Sequence, residues 1–595
     1  MKPGIAINTI ITGKETIETH SSVKVAVFRL KSFLLTLKRQ LENTGSGLKK
    51  FKDTGLLNSQ AVVSVSESSL WNKDDNELNW QLTAGKVQNL RIATQQLNGI
   101  EIPANTTFSF WKQLGKPSAR KGYKTGREIK EGCMVPTIAG GLCQLSNALY
   151  DAALQAGFEI IERHKHTKII KGSLAEQDRD ATVKWSHVDL RFRSVKPFRI
   201  EIELSAEKLI VKFKSVEKRI LPANDELKNS THFPKLNDCY SCNNLSCFKH
   251  HDKNSVSPKN SITAFVLDEK WDEYDEYIKK VATDNDILIV PVLKNKIIKT
   301  VRYNWTTGNI KNIKTIPFAA FQRAFLLRLF SKTKKNTFSV KLKLDNKIAA
   351  AASKLIPLEC THLVISQNLL PFMMKNGILG GRTFDVLMNS LPMEKIHQRL
   401  DIAYSKYPES KTLTDFRASQ NLIDLENNAL KRSKHIITPH GEIADLFKNK
   451  SIQLKWTIPN SSAKKTVQNN KILFPASALA RKGAYEIRQL AKELDLSIVI
   501  MGKTEEETDF WKGIDVKPAG NDPFDSICMI IYPTYVEQQP RFLLKALAAG
   551  IPVVTTTACG LPEMENLTIV TTGNYEVLKK AAEHYLSNVH YEKYI

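Results

Sequence analysis

Residues 524–563 read FDSICMIIYPTYVEQQPRFLLKALAAGIPVVTTTACGLPE. An apolar run ends at Pro533, an amphipathic segment closes on Ala549-Gly550, and a second apolar run, PVVTTT, begins at once. Apolar run, loop, helix and apolar run is the pattern of parallel strands joined by a crossover helix. The upstream block FPASALARKGAYEIRQLAKEL likewise leaves a strand and enters a helix. Loops at the carboxyl ends of such strands form a crevice, where helix N-termini accept phosphates.

Working outward, the same alternation covers everything after residue 259: ITAFVLD, ILIVPVL, THLVISQ, HIITPH, ILFPAS, LSIVIMG, ICMIIYPT, PVVTTT and LTIVTTG. That span is too long for one core and predicts two doubly wound Rossmann-like lobes, 259–456 and 457–595, with TIPNSSAKKTVQNN (457–470) as the linker. Before it, residues 81–235 mix helices with the strand-like segments FSFW, TVKWSHVDLRF and RIEIEL. Residues 236–258 hold a cysteine/histidine cluster and a polar linker, and 1–80 form an N-terminal helical region. The predicted class is a multidomain chain, α+β followed by α/β.

A chain of 595 residues with 42% hydrophobic residues is globular rather than disordered. No stretch approaches a membrane span, and MKPGIAINTIITGKETIETH lacks the pattern of a secretory signal, so a cytoplasmic location is expected. The net charge of +25 favours anionic partners: nucleotides, pyrophosphates or anionic headgroups. Nucleic acid is the lesser expectation, because the basic residues are dispersed and no helix-turn-helix or finger pattern occurs. In residues 20–45, Val27, Leu30, Leu34 and Leu37 recur at helical steps, while Lys24, Lys31 and Lys38 fall seven apart. Such a helix either docks on its own domain or lies on a membrane surface.

The blocks at 474–494 and 524–563 resemble the C-terminal domain of retaining glycosyltransferases of the B-type, two-Rossmann-domain architecture, particularly family four. The resemblance implies a nucleoside-diphosphate sugar donor, with Lys482-Gly483 at its pyrophosphate and Glu537 as the first of two signature glutamates. The chain departs from that pattern. Ser477 stands where the family has arginine, which Arg481 could replace; Lys545 stands where the second glutamate would hold the donor ribose. QQP replaces the glycines after Glu537, while Gly560-Leu561-Pro562-Glu563 matches the following loop. On the acceptor side, the glycines before Arg382, the pair Asp415 and Arg417, and His440 after a strand suit a crevice lining. Each also has a plain structural reading, as an ion pair or a helix-start residue.

GGLCQLSNALYDAAL, residues 140–154, starts a helix with a cysteine after two glycines. At 100° per residue, Leu145, Ala148, Leu149, Ala152, Ala153 and Ala156 form the packing face. Cys143 lies opposite, with Ser146, Asn147 and Tyr150. Backbone N–H groups at a helix start favour thiolate. His164, His166, Asp180 and Asp189 follow, so Cys143 is either a packing residue or a nucleophile with His166 as base and Asp180 as acid, in the chain order of transglutaminase-like thiol enzymes. FSFWKQLGKPSARKGYKTG, GGLCQLSNALYDAALQAGFEIIERHKHT and DATVKWSHVDLRFRS together resemble the VanW family over residues 85–213. That resemblance implies a bacterial cell-envelope context, and many members carry a third glycine where this chain has Ala139.

DCYSCNNLSCFKHH places Cys239, Cys242, Cys247 and His250 within one short segment. Three thiolates and an imidazole suit structural zinc, with an iron–sulfur cluster as the second choice and plain surface cysteines as the third. Together these features predict transfer of a sugar from a nucleotide donor to an envelope polysaccharide or lipid-linked acceptor, with peripheral docking at the anionic inner membrane face. The alternatives are a non-catalytic binding protein with a degenerate transferase fold, and a thiol enzyme using Cys143.

Overall fold

The computed structural model describes residues 22–71, 77–130, 133–166, 173–185, 187–216, 262–293, 302–303, 305–306, 308–331, 337–461, 469–504, 506–507 and 509–591. The chain forms two compact units. One comprises Met1–Ser69, Gly85–Glu203 and Leu209–His251; the other comprises Leu70–Ala84, Leu204–Lys208 and Asp252–Ile595.

Antiparallel strands and one central helix build the first unit. Ala61–Ser69, Lys208–Ser215, Phe198–Leu204 and Glu101–Ile102 lie side by side in that order. Along Lys208–Ser215 the side chains alternate, burying Leu209, Val211 and Phe213 while Lys208 stays exposed, as a half-buried strand must. Phe213 stacks on Phe158, and Phe192 and Phe198 pack around both rings. A second small sheet pairs Thr107–Ser109 and Glu159–Glu162 with Arg191–Arg193.

The segment FSFW is strand only through Ser109. Phe110–Leu114 is a short helix, because the Ser109 hydroxyl caps it by accepting the Lys112 N–H at 3.1 Å. TVKWSHVDLRF is likewise strand only at Arg191–Arg193, plus an isolated bridge between Lys184 and Val188.

The helix Ser22–Gly45 forms where its periodicity predicts, but the apolar residues described on it do not dock. Leu30, Phe33, Leu34, Leu37 and Leu41 are all exposed. Instead its polar residues hold it: Arg39 pairs with Glu162, and Asn43 Oδ1 accepts from Arg191 at 2.5 Å.

The second unit contains two all-parallel sheets with helices between the strands. Counted in chain order within each sheet, the described strands of the first lie 3-2-1-4-5-6-7 and those of the second 3-2-1-4-5-6. Both are doubly wound, as the alternation requires. Central strands such as Ile287–Val290, Met529–Tyr532 and Val553–Thr556 are buried at every position, which explains their unbroken apolar runs. Among the described residues, no helix is long and apolar enough to cross a membrane.

Candidate functional site

Each parallel sheet reverses its strand order beside its first strand, and loops diverge at that switch point. In the first sheet these loops follow Thr263–Val266 and His362–Ser366. The Asp268 N–H donates to Ser366 Oγ at 3.0 Å, and Asn368 Nδ2 donates to the Asp268 carboxylate at 2.5 Å. Asp268 also holds Arg323, which donates to Asp345 at 2.7 Å and to the Tyr303 hydroxyl at 2.8 Å. Lys341 completes the cluster with 2.8 Å to Asp345. Burial opposes ionisation of Asp268, yet Arg323 holds its carboxyl below the usual range.

Above this cluster lies a cavity of about 140 Å³, lined among others by Asp268, Asn368, Phe416, Glu426, Gln538 and Gln539. Burial pushes the Glu426 carboxyl up to about 7 against the bonds it accepts from the Met393 N–H and Gln367.

In the second sheet the corresponding loops follow Lys471–Phe474 and Met529–Tyr532, and they bring Lys482 and Glu537 together. Lys482 Nζ donates to Glu537 Oε2 at 2.8 Å and to the Val536 carbonyl at 2.9 Å. The Tyr532 hydroxyl donates to the same carboxylate, and the N–H groups of Gln538 and Gln539 donate to its other oxygen at 2.9 Å each. Burial would raise the Glu537 carboxyl, but Lys482, Tyr532 and the Gln539 N–H hold it down at about 2. Gly483 has φ +86°, and a Cβ there would stand 2.4 Å from the Pro533 carbonyl oxygen, so this turn requires glycine.

The remaining predicted residues scatter. Arg481 reaches the other lobe, with its guanidinium 5.4 Å from the Phe416 ring centre and 3.4 Å from the Thr412 carbonyl. Lys545 is exposed and lies over the Phe524 ring, and Glu563 is exposed in its loop. Ser477 Oγ accepts the Lys503 N–H at 3.2 Å. Arg382 does not line the crevice. It precedes Thr383–Leu387, at the opposite end of the sheet, and its buried guanidinium donates to the carbonyls of Cys360, Ile378 and Pro357. Asp415 and Arg417 are not a pair: Arg417 bonds Asp401 at 2.7 Å, and Asp415 is exposed.

His440 is fully buried between the lobes. Its Nε2 lies 3.1 Å from the Ala558 carbonyl, its Nδ1 takes no hydrogen-bond partner among the described residues, and burial pushes it down to about 4. Sequence reasoning missed Arg399, which donates to the Tyr535 carbonyl at 3.1 Å and pairs with Glu442. It also missed Asp268, although its place just after the run ITAFVL was a usable signal.

The first unit holds a second cluster. Cys143 opens the helix Cys143–Gln155, whose predicted packing face is buried throughout. The opposite stripe is not a solvent face: it grips residues 178–183. The Cys143 sulfur lies 3.6 Å from the Thr182 hydroxyl and 3.8 Å from the Val183 carbonyl. Ser146 Oγ donates to the Ala181 carbonyl at 2.5 Å, and Asn147 Oδ1 accepts the Ala181 N–H at 2.8 Å. Arg163 lies over the Tyr150 ring and donates to the Asp180 carbonyl at 2.7 Å.

This grip sets Asp180 beside His166, with Nδ1 to Oδ1 at 2.5 Å, and the Cys143 thiol is close enough to act on the imidazole's charge. Burial alone would lower the His166 imidazole, but Asp180 and Cys143 raise it to about 10. His164 turns instead to Glu162, and Asp189 is taken by Ser109, Trp111 and Arg191. Gly140 and Gly141 permit the turn ahead of Cys143: a Cβ on Gly141 would stand 2.1 Å from Lys86 Cγ.

Cys239, Cys242, Cys247 and His250 lie outside the described residues. Among the described residues, no group of three or more His, Cys, Asp or Glu could hold a metal ion.

The family model "VanW like protein" matches residues 85–214. The chain is 33% identical over 106 residues to the uncharacterized protein YoaR of Bacillus subtilis, covering 18% of this chain and 34% of that one. It is 33% identical over 132 residues to the vancomycin B-type resistance protein VanW of Enterococcus faecalis, covering 21% and 47%. The match thus spans about a third and about half of those relatives. Among solved structures, Anabaena HepE in complex with UDP and glucose matches at 12% identity, covering 56% of this chain and 90% of that one with a TM-score of 0.33. A sucrose-phosphate synthase from Thermosynechococcus elongatus matches at 13% identity, covering 55% and 90% with a TM-score of 0.32.

Proposed function

We propose that the carboxyl half binds a nucleoside-diphosphate sugar and transfers its sugar to a hydroxyl of an envelope polysaccharide or lipid-linked acceptor. One observation carries this reading: Lys482 and Glu537 meet at the switch point of one parallel sheet, and the next residues, Gln538 and Gln539, line the cavity over the switch point of the other. Ligands of doubly wound sheets bind at such points.

In this reading Lys482 exchanges the Glu537 carboxylate for a diphosphate oxygen. The N-terminus of the helix Ala484–Glu493 adds its dipole beside Gly483. Glu537, released, can accept hydrogen bonds from sugar hydroxyls. Glu426, with a carboxyl near neutrality, stands on the acceptor side where an incoming hydroxyl must lose a proton.

A nucleotide sugar needs more room than the present cavity, since small-ligand sites run from about 300 Å³ upward. Donor uptake therefore requires the lobes to part at Arg541–Glu273 and at His440–Ala558. Titration of the full chain with UDP-, GDP-, ADP- and CMP-sugars, with donor turnover read in parallel, tests this reading. Binding and turnover that fall at least about tenfold in Lys482→Ala support it. If no donor binds or turns over, a non-catalytic binding role remains, which the glutamines inside the cavity and the outward Lys545 favour.

A membrane-side acceptor is supported by the helix Pro317–Ser331. Phe318, Phe321, Phe325 and Leu329 are 80%, 71%, 58% and 50% exposed along one face, and KTKK (332–335) follows in sequence. An apolar stripe beside basic residues suits an anionic bilayer surface. Loss of binding to phosphatidylglycerol vesicles in Phe321→Glu is the expected result; unchanged binding removes the membrane from this proposal.

A further inference from the structure

We propose that Cys143, His166 and Asp180 form a thiol acyl-transfer centre, in which the Cys143 sulfur attacks the carbonyl carbon of an ester, thioester or amide. This goes beyond sugar transfer and does not depend on it, because the three residues lie in the other compact unit.

The geometry carries the argument. The thiol stands at the first position of a helix, at the positive end of its dipole. An imidazole lies within electrostatic reach of it, and that imidazole is clamped by one carboxylate through both its ring N–H and its backbone N–H, at 2.5 and 2.6 Å. Nucleophile, base and orienting acid are thus in sequence. Cys143 is partly exposed, whereas Cys360, Cys528 and Cys559 are buried. The neighbouring charges are already committed: Arg163 and Lys165 both bond Asp178, at 3.2 and 2.6 Å. Among the described residues, Asp180 and Cys143 are the groups that raise the His166 imidazole.

The chemistry balances without an added reagent. Sulfur forms a bond to the carbonyl carbon, and the carbonyl π electrons move to oxygen. When they return, the bond to the leaving group breaks, and His166 gives that group its proton. A water, amine or hydroxyl then yields its proton to His166 and attacks the thioester, expelling the Cys143 thiolate. Asp180 touches no reacting atom and acts as a positioning residue.

The test uses the full chain with iodoacetamide and p-nitrophenyl acetate. Peptide mapping should find Cys143 alkylated at pH 6 at least about tenfold faster than glutathione, with a nearly flat rate from pH 6 to 8. The ester should release nitrophenolate in a burst and leave acetyl on the Cys143 peptide. His166→Gln should slow both reactions about tenfold or more, and Asp180→Asn should shift the pH profile toward that of a free thiol. A Cys143 rate in the native protein that matches glutathione and climbs with pH, or the absence of acetyl on Cys143, overturns the proposal without any variant. Circular dichroism of the variants separates loss of fold from loss of chemistry.

Discussion

His166 donates to both oxygens of a single carboxylate, that of Asp180: Nδ1 to Oδ1 at 2.5 Å and the backbone N–H to Oδ2 at 2.6 Å. The folded imidazole titrates near 10, above its ordinary value of 6.5, so the pair stabilises the fold fully below pH 6.5 and loses that contribution as pH rises through about 10. Thermal melts of the native chain and of Asp180→Asn should show a gap that holds up to about pH 6.5 and narrows toward pH 10. A gap that does not vary over that range contradicts an imidazolium at this site.

Ala139 offers a gain in stability. It sits at φ +65° directly ahead of Gly140 and Gly141, in the left-handed region that disfavours a Cβ. Alanine there costs about 1–2 kcal/mol, and glycine returns about 0.5–1 kcal/mol of that as lost chain entropy. Ala139→Gly should therefore stabilise the first unit by roughly 0.5–1 kcal/mol in urea melts. Gly141→Ala should do the reverse and more, because its Cβ would collide with Lys86.

How far the sequence carries is visible in particular residues. Every apolar run quoted after residue 259 contains a strand, because buried parallel strands have no polar face to blur the pattern. The edge strands Asn312–Thr315 and Val516–Pro518 escape notice, since each leaves at least half its residues in solvent and reads as a loop. Thr383–Leu387 is central, yet it hides behind Arg382, whose charge signals a crevice while the fold spends it on three carbonyls. The helix periodicity correctly separates the two faces of Cys143–Gln155. It cannot say that the second face is covered, because the covering segment, residues 178–183, lies more than twenty residues further along the chain.

Arg323 is 1% exposed and binds Asp268 and Asp345 at once. Removing one partner from a buried ion cluster leaves the others charged in a poor solvent for charge. Arg323→Met should destabilise the second unit by about 3–5 kcal/mol, measured by urea unfolding. Arg323→Met with Asp268→Asn and Asp345→Asn should recover part of that loss. A single substitution without effect would mean that water reaches the cluster.

Lys482 and Glu537 answer each other's charge, and that fixes two outcomes. The Glu537 carboxyl titrates near 2, below its ordinary 4.5, so its contribution is present above pH 4.5 and is lost as pH falls through about 2. Acid unfolding should therefore begin at higher pH in Lys482→Ala than in the native chain. The same pairing makes Glu537 a competitor for any diphosphate that approaches Lys482. Glu537→Gln leaves the ammonium unopposed, and one charge-assisted bond of about 1.5–3 kcal/mol no longer has to be exchanged. Inorganic pyrophosphate should then bind about tenfold more tightly in Glu537→Gln, measured by calorimetry, and not at all in Lys482→Ala. Pyrophosphate affinity that ignores both substitutions would place any phosphate site elsewhere in the carboxyl half.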